Sequence, residues 1–206
     1  MNDPTFPHSV LAHIVEHVEP IKCCQRYEHP LGAHLAVHGI GRVVRGRSQL
    51  SETGAIEFVD IEVELADLEG AVQTVVEKLE QLGAPFGSSI RFGPDNNRSP
   101  VPFGKREQLA LYLDTTRVPD AFYDALDSNA WYEQLAEVAK HAGGEARSVW
   151  PGPVETAIYF IVDEADALAD TLQLLGDTVP ILQNARLLMR YSDGRPPSEI
   201  RLPMNG

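Results

Sequence analysis

The pattern of residues 55–92 occurs a second time at residues 154–191. Each stretch reads as a long strand, a helix that begins beside an acidic residue, and a second strand. At a constant offset of 99 residues and without gaps, Asp67 corresponds to Asp166, although residue identity between the two stretches is slight. Because self-similarity at a fixed period decides the architecture before any single motif does, we predict a chain of two similar halves.

Hydrophobic periodicity and turn signals extend this order of elements over most of the chain. In the first half they predict strands at 21–27, 42–49, 55–65 and 88–92, with helices at 30–38 and 67–82. In the second half they predict strands at 108–113, 146–150, 154–162, 185–191 and 200–202, with helices at 119–126, 131–141 and 163–175. The order β-α-β-β-α-β in each half resembles the ferredoxin-like fold. The predicted fold class is therefore α+β, with two tandem ferredoxin-like halves and mainly antiparallel sheets.

This order of elements divides the chain into three segments. Residues 1–20 are predicted to be an N-terminal extension, in which Ser9 caps a short helix. Residues 21–106 are the first α+β half, and they end in a loop at 93–106 that is rich in proline, glycine and asparagine. Residues 107–206 are the second α+β half.

The charge of the chain narrows the classes of partner. There are 17 basic and 30 acidic residues, which give a formal net charge of −13. Nucleic acid phosphates and anionic membrane surfaces would repel such a chain, so we expect neither as a partner. A basic protein would be attracted, and its association would be accelerated. The same charge is also compatible with simple solubility.

Three observations predict a cytoplasmic protein. The two cysteines, Cys23 and Cys24, are adjacent, so there is no disulfide framework, and this is typical of a reducing compartment. The first residues lack the charged and apolar regions of a signal peptide. No apolar run approaches the roughly 20 residues that are needed to cross a bilayer.

The sharpest local motif is His13-Ile14-Val15-Glu16-His17, which has the H-x-x-E-H pattern of some zinc peptidases. On a helix, His13 and His17 would share one face and could bind zinc, with Glu16 as the base. The motif lies outside both repeats. Glu77 and Glu80 lie on a predicted helix at a plausible separation for a further acidic ligand, but nothing around them indicates that role. Metal binding by these three residues is therefore the less favoured interpretation.

Three carboxylates, Asp60, Glu62 and Glu64, alternate along one predicted strand and share one face of it. They could bind a basic partner or a divalent cation. They could instead pair with the arginines of the preceding strand, because opposite charges across two strands stabilise a sheet; these are Arg42, Arg45 and Arg47. The second interpretation is favoured, since the acids and the arginines lie on the two arms of one hairpin.

Arg91 and Arg190 occupy equivalent strand positions in the two halves and could bind an anion. Structural ion pairs with acids of the sheet are the commoner role for such arginines. Tyr159 lies on the predicted free face of the second sheet, with Ala157 and Ile161. Because an apolar sheet face must be covered, we expect this face to be buried against the first half or a second copy of the chain.

The sequence contains no persuasive set of catalytic residues and no cofactor motif. The two cysteines, which lie near Arg26, are interpreted as residues of a strand. Residues 57–62, 82–88 and 155–160 give the chain a resemblance to uncharacterised bacterial immunity-type proteins. That resemblance and the charge together predict an acidic binding or inhibitory protein, such as an immunity protein or an antitoxin, that occludes a basic partner. The chain would be a monomer or a homodimer.

An alternative hypothesis is an enzyme or small-ligand-binding protein with its site in the cleft between the two halves. Its candidate residues are Asp60, Arg91, Tyr112, Tyr159 and Arg190. The element order alone does not distinguish these two functions, because one fold can carry many activities.

Overall fold

The computed structural model describes residues 6–93, 98–114, 127–176 and 178–202. The chain forms two compact units, Met1–Lys105 and Arg106–Gly206, which we call unit 1 and unit 2. The boundary predicted from the sequence, between residues 106 and 107, is one residue later than the boundary between the two units. Each unit is α+β, and its described residues form one five-stranded antiparallel sheet.

The strands of unit 1 are β1 (His8–Ile14), β2 (Gly41–Leu50), β3 (Ile56–Leu65), β4 (Ser88–Phe92) and β5 (Val101–Phe103). Their order in the sheet is β2-β3-β1-β4-β5. The short strand β5 lies within the segment that the sequence predicted to be a loop. β1 is the central strand and pairs with both β3 and β4.

The prediction that residues 1–20 are an N-terminal extension is wrong, because residues 8–14 form a strand of the first sheet. The short helix predicted to begin at Ser9 is also wrong. Val10, Ala12 and Ile14 are buried, and they alternate along one face of β1 as a strand requires. The pairing of β1 with two neighbours satisfies its backbone polar groups on both sides.

Residues 20–38 form a continuous helical segment that joins β1 to β2. It consists of α1 (Pro20–Cys23), a π-helical stretch (Cys24–Glu28) and α2 (His29–His38), and α2 ends at Gly39 in the left-handed conformation. The predicted strand at 21–27 is wrong. The buried residues of this segment recur every four positions, which is helical spacing; they are Cys23, Tyr27, Leu31 and Leu35.

The helix α3 (Gly70–Gln81) packs on the same side of the sheet as this segment and shares one core with it. Asp67 caps α3: its Oδ1 accepts hydrogen bonds from the backbone N–H groups of Glu69, Gly70 and Ala71 at 3.0, 2.9 and 3.4 Å. These bonds stabilise the charged form and hold the pKa of Asp67 below its ordinary value. The acidic helix start that the sequence indicated is thus a side-chain cap.

The strands of unit 2 are β6 (Glu107–Asp114), β7 (Glu145–Pro151), β8 (Glu155–Val162), β9 (Arg186–Arg190) and β10 (Ser198–Arg201), in the sheet order β10-β9-β6-β8-β7. Its helices are α4 (Ser128–His141) and α5 (Ala165–Gly176), and a short 3-10 turn spans Pro180–Leu182. The helix predicted at 119–126 lies outside the described residues.

Glu107 joins three parts of unit 2. Its carboxylate is buried, and Oε2 accepts a hydrogen bond from the backbone N–H of Ala165, the first residue of α5, at 2.8 Å. The other oxygen, Oε1, accepts from the backbone N–H and the hydroxyl of Ser192 at 3.0 and 3.1 Å. One side chain at the start of β6 thereby connects the beginning of α5 to the segment that follows β9.

The offset of 99 residues applies to more of the chain than the sequence showed. Residues 8–14 of β1 correspond to 107–113 in β6, and residues 101–103 of β5 correspond to 200–202, which overlap β10. The same shift brings β4 into register with β9. None of the helices in the described ranges is long and apolar enough to span a membrane.

Candidate functional site

The predicted carboxylate cluster lies on the face of the unit 1 sheet that is opposite its helices. Glu64 accepts a hydrogen bond from Nε of Arg42, and Glu62 accepts one from Nε of Arg45, both at 2.7 Å. Asp60 lies opposite Arg47 of β2 in the strand register, and its Oδ1 is 2.7 Å from Nδ1 of His13 in β1. We call this set of paired charges the charge ladder.

The charge ladder is a cross-strand feature of β1, β2 and β3 rather than a group of unpaired acids. Arg42 and Arg45 are more than half exposed, so each of these ion pairs contributes about 0.2–1 kcal/mol. Arg91 is on the same face, because it lies opposite Leu11, which in turn lies opposite Glu62. Three carboxylates and four arginines thus share this face, and their charges are close to balance.

The H-x-x-E-H motif does not form the helical site that its pattern suggested. His13 is in β1, whereas Glu16 and His17 follow the strand. His13 pairs with Asp60, and Nδ1 of His17 is hydrogen-bonded to the carbonyl of Ile56. The buried Glu16 accepts a hydrogen bond from the hydroxyl of Tyr27. No group of three potential metal ligands occurs among the residues that the structure describes.

The buried pair of Glu16 and Tyr27 has a clear electrostatic consequence. Burial of the phenol and the adjacent carboxylate both disfavour the phenolate, and they hold the pKa of Tyr27 well above its ordinary value. Tyr27 therefore acts as a neutral hydrogen-bond donor to Glu16. This contact links the end of β1 to the helical segment 20–38.

The corresponding face of the unit 2 sheet is aromatic. Tyr112 and Tyr159 contact each other edge to face, with ring centroids 6.4 Å apart. The guanidinium of Arg186 lies 4.1 Å from the centroid of Tyr112, and it is bonded to Glu155 and Glu199. The apolar part of this face is buried, including Ala157, Tyr159 and Ile161.

Burial and the neighbouring Tyr112 raise the pKa of Tyr159, so this phenol remains neutral. Arg190 lies on the same face, opposite Gln108, and is exposed. The sequence missed Arg186, although its position on β9 with the same alternation as Arg190 was a usable signal. The equivalence of Arg91 and Arg190 holds in the structure, since each lies near the end of its strand in its own unit.

An acidic surface lies on the solvent side of α5. We define the acidic helix face as Ala167, Asp170 and Leu174 of α5 together with Glu164, which directly precedes the helix; all four are exposed. The side chain of Leu174 is 74% exposed. The sequence contains no lysine, arginine or histidine between Arg147 and Arg186, so no positive side chain of this segment offsets these acids.

A thiol and an imidazole meet on the helical segment of unit 1. The Sγ atom of Cys24 is 3.3 Å from Nε2 of His29, and this contact is solvent-exposed. The neighbouring Cys23 is buried, and desolvation, followed by the charges of Glu28 and Glu16, raises its pKa to about 12. The two adjacent cysteines thus have different environments, which the sequence did not reveal.

No protein-family model and no curated protein matches this chain. One solved structure, described as the crystal structure of an unknown protein from Galdieria sulphuraria, aligns over 94% of this chain and 98% of that chain. The sequence identity is 13% and the TM-score is 0.28. A likeness at that level carries no argument about fold or function.

Proposed function

We propose that this protein is an acidic binding protein that occludes a basic partner protein, as an immunity protein or an antitoxin does. The observation that carries the proposal is the acidic helix face of α5. It combines the exposed carboxylate of Asp170 and the exposed Leu174 on α5 with the exposed carboxylate of Glu164 directly before the helix. A contact of this kind provides charge for the encounter and an apolar centre for affinity.

The charge ladder is a weaker candidate for the same role. Its carboxylates Glu62 and Glu64 are already paired with arginines of the same sheet, and Asp60 is within hydrogen-bond distance of His13. A basic partner would have to replace those ion pairs, so little free energy would be gained. Glu164 and Asp170, in contrast, have no ion-pair partner among the described residues, and their charge remains available for an incoming cation.

We also propose that each unit is a ferredoxin-like half with one added edge strand. The support is the chain order of the elements, since each unit has helices after its first and third strands, and two consecutive strands between those helices. The fifth strand of each unit follows this set and pairs with the fourth.

The test uses a double variant and a control with the same change in charge. Glu164→Gln with Asp170→Asn removes two charges from the acidic helix face, whereas Glu69→Gln with Glu77→Gln removes two from exposed positions at α3. Each protein is immobilised and exposed to extract of its source cells, and the retained proteins are identified by mass spectrometry. The affinity and the association rate of any retained protein are then measured at several salt concentrations.

We expect a basic protein that wild type and the α3 control retain equally. The α5 double variant should bind it about tenfold more weakly, chiefly through slower association, and salt should reduce the difference. Equal loss of binding in both double variants would mean that only the net charge matters. Retention of no basic protein by wild type would overturn the proposed function.

A further inference from the structure

The contact between Cys24 and His29 depends on an unusual helix geometry. In an α-helix, residues five apart point about 140° away from each other, so a cysteine and a histidine at this spacing do not meet. Residues 24–28 are instead π-helical, and the backbone N–H of His29 donates to the carbonyl of Cys24, five residues earlier. This widened turn brings the two side chains into contact at 3.3 Å.

Pro30 gives a physical reason for the widened turn. It lies inside the continuous helical segment 20–38, where it has no N–H to donate and its ring crowds the carbonyl four residues earlier, that of Arg26. Widening the preceding turn relieves that crowding without ending the helix, and π-helical turns of this kind are frequent at functional sites. The sequence Cys-Gln-Arg-Tyr-Glu-His-Pro at 24–30 thereby places a base beside a thiol.

We propose that Cys24 is a thiol–disulfide exchange site that takes a low-molecular-weight disulfide, with His29 as its base. Nε2 of His29 accepts the thiol proton, and Sγ of Cys24 attacks one sulfur of the incoming disulfide. A new S–S bond forms between Cys24 and that sulfur, while the original S–S bond breaks. The departing sulfur leaves as a thiolate and takes up a proton from the imidazolium. The disulfide is the oxidant, and the protein thiol becomes a mixed disulfide.

Cys23 provides a contrast within the same chain. Its side chain faces the core of unit 1, where it is 2% exposed and has no room for a bulky adduct. Cys24 is only partly buried, and its contact with His29 is exposed. The proposal therefore predicts strong selectivity between two adjacent cysteines of identical chemistry. This inference does not depend on the proposed function of α5, which lies in the other unit.

The experiment uses two single-thiol proteins, Cys23→Ala and Cys24→Ser. Each reacts at pH 7 with an aromatic disulfide whose released thiolate is followed by absorbance, first in buffer and then in urea. An ordinary thiol is only a few per cent thiolate at this pH, so transfer of the proton to a base can raise the rate by roughly tenfold or more. We expect Cys24 to react about tenfold faster in the folded protein than in urea. Cys23 should react far more slowly when the protein is folded.

Three further variants in the Cys23→Ala background test the mechanism. His29→Gln keeps an exposed polar side chain and should lower the folded rate about tenfold, whereas His34→Gln, on the same helix, should leave it unchanged. Pro30→Ala should also lower the rate, because it removes the reason for the widened turn. Circular dichroism checks that each variant is folded.

Mass spectrometry after incubation with glutathione disulfide identifies the product. One glutathione should be attached at Cys24, and dithiothreitol should remove it. A folded rate that His29→Gln leaves unchanged would overturn the role of the imidazole. A Cys24 rate no higher in the folded protein than in urea would overturn the exchange site itself, and an unchanged rate in Pro30→Ala would overturn the role of the widened turn.

Discussion

The substitution Glu107→Gln should destabilise unit 2 strongly although it changes only one atom of the side chain. The carboxylate accepts from Ala165 through one oxygen and from Ser192 through the other. A glutamine has one oxygen and one NH2 group, so at least one of these backbone N–H groups would face another donor. The site is buried, and water cannot readily replace the lost acceptor.

The size of the effect follows from two contributions. A hydrogen bond to a charged group contributes about 1.5–3 kcal/mol, and a buried donor that is left unsatisfied costs about 1–3 kcal/mol. These contributions overlap, so we expect the free energy of unfolding to fall by about 2–4 kcal/mol. For a unit of about 100 residues this lowers the midpoint of thermal unfolding by about 10 °C or more.

Tryptophan fluorescence in increasing urea is the appropriate assay. Both tryptophans of the chain, Trp131 and Trp150, are in unit 2, so the signal reports the unfolding of that unit. Glu133→Gln, on the exposed side of α4, is the matched control and should change stability by less than about 0.5 kcal/mol. If Glu107→Gln is as stable as this control, the carboxylate does not join α5 to β6 in the way that its hydrogen bonds indicate.

Two further predictions concern unit 1. Gly104→Ala should lower stability by about 3 kcal/mol or more, because Gly104 has a φ of +92° and an added Cβ would lie 2.0 Å from the carbonyl oxygen of Pro85. Gly54→Ala is the matched control, because Gly54 has a φ of +83° and an added Cβ would meet nothing within 4 Å. This control measures the backbone strain alone and should lower the free energy of unfolding by about 1 kcal/mol. Thermal unfolding measures both variants. Asp67→Ala should destabilise the protein at neutral pH, and the difference from wild type should narrow as the pH falls below 3.8 and through the lowered folded-state pKa, because protonation removes the charged cap. Urea titrations at several pH values measure this difference, and a gap that stays constant down to pH 2 would contradict the assigned role of the carboxylate.

The elements that the sequence predicted well are those with one buried face. β3 alternates between Ile61, Val63 and Leu65 on the core side and charged residues on the other, and α3 has an equally clear apolar stripe. β1 was missed because it is a central strand in which His13 is buried on the face opposite the core, so one face is not clearly polar. The repeat itself carried the missing signal, since a shift of 99 residues places the predicted strand at 108–113 onto β1.

The candidate sites differ in how well the sequence alone predicts them. The pairing of arginines with acids followed from their placement on two arms of one hairpin, and β2 and β3 bring those side chains into contact. The contact between Cys24 and His29 could not be predicted, because ordinary helical spacing separates them and only the widened turn brings them together. Likewise, the burial of Cys23 depends on which side of the helix meets the core.

The four outer strands of the two sheets each have a feature that discourages pairing with a further chain. β5 and β10 have three and four residues, and β5 contains Pro102, which has no N–H to donate. β2 carries exposed arginines and a register shift at Val43, and β7 has a shift at Ala146 and ends at Pro151. Such strands are poor templates for intermolecular β-sheet, so the chain should resist fibrillar aggregation. A partner or a second copy would then bind through side chains of a helix or a sheet face rather than by adding a strand.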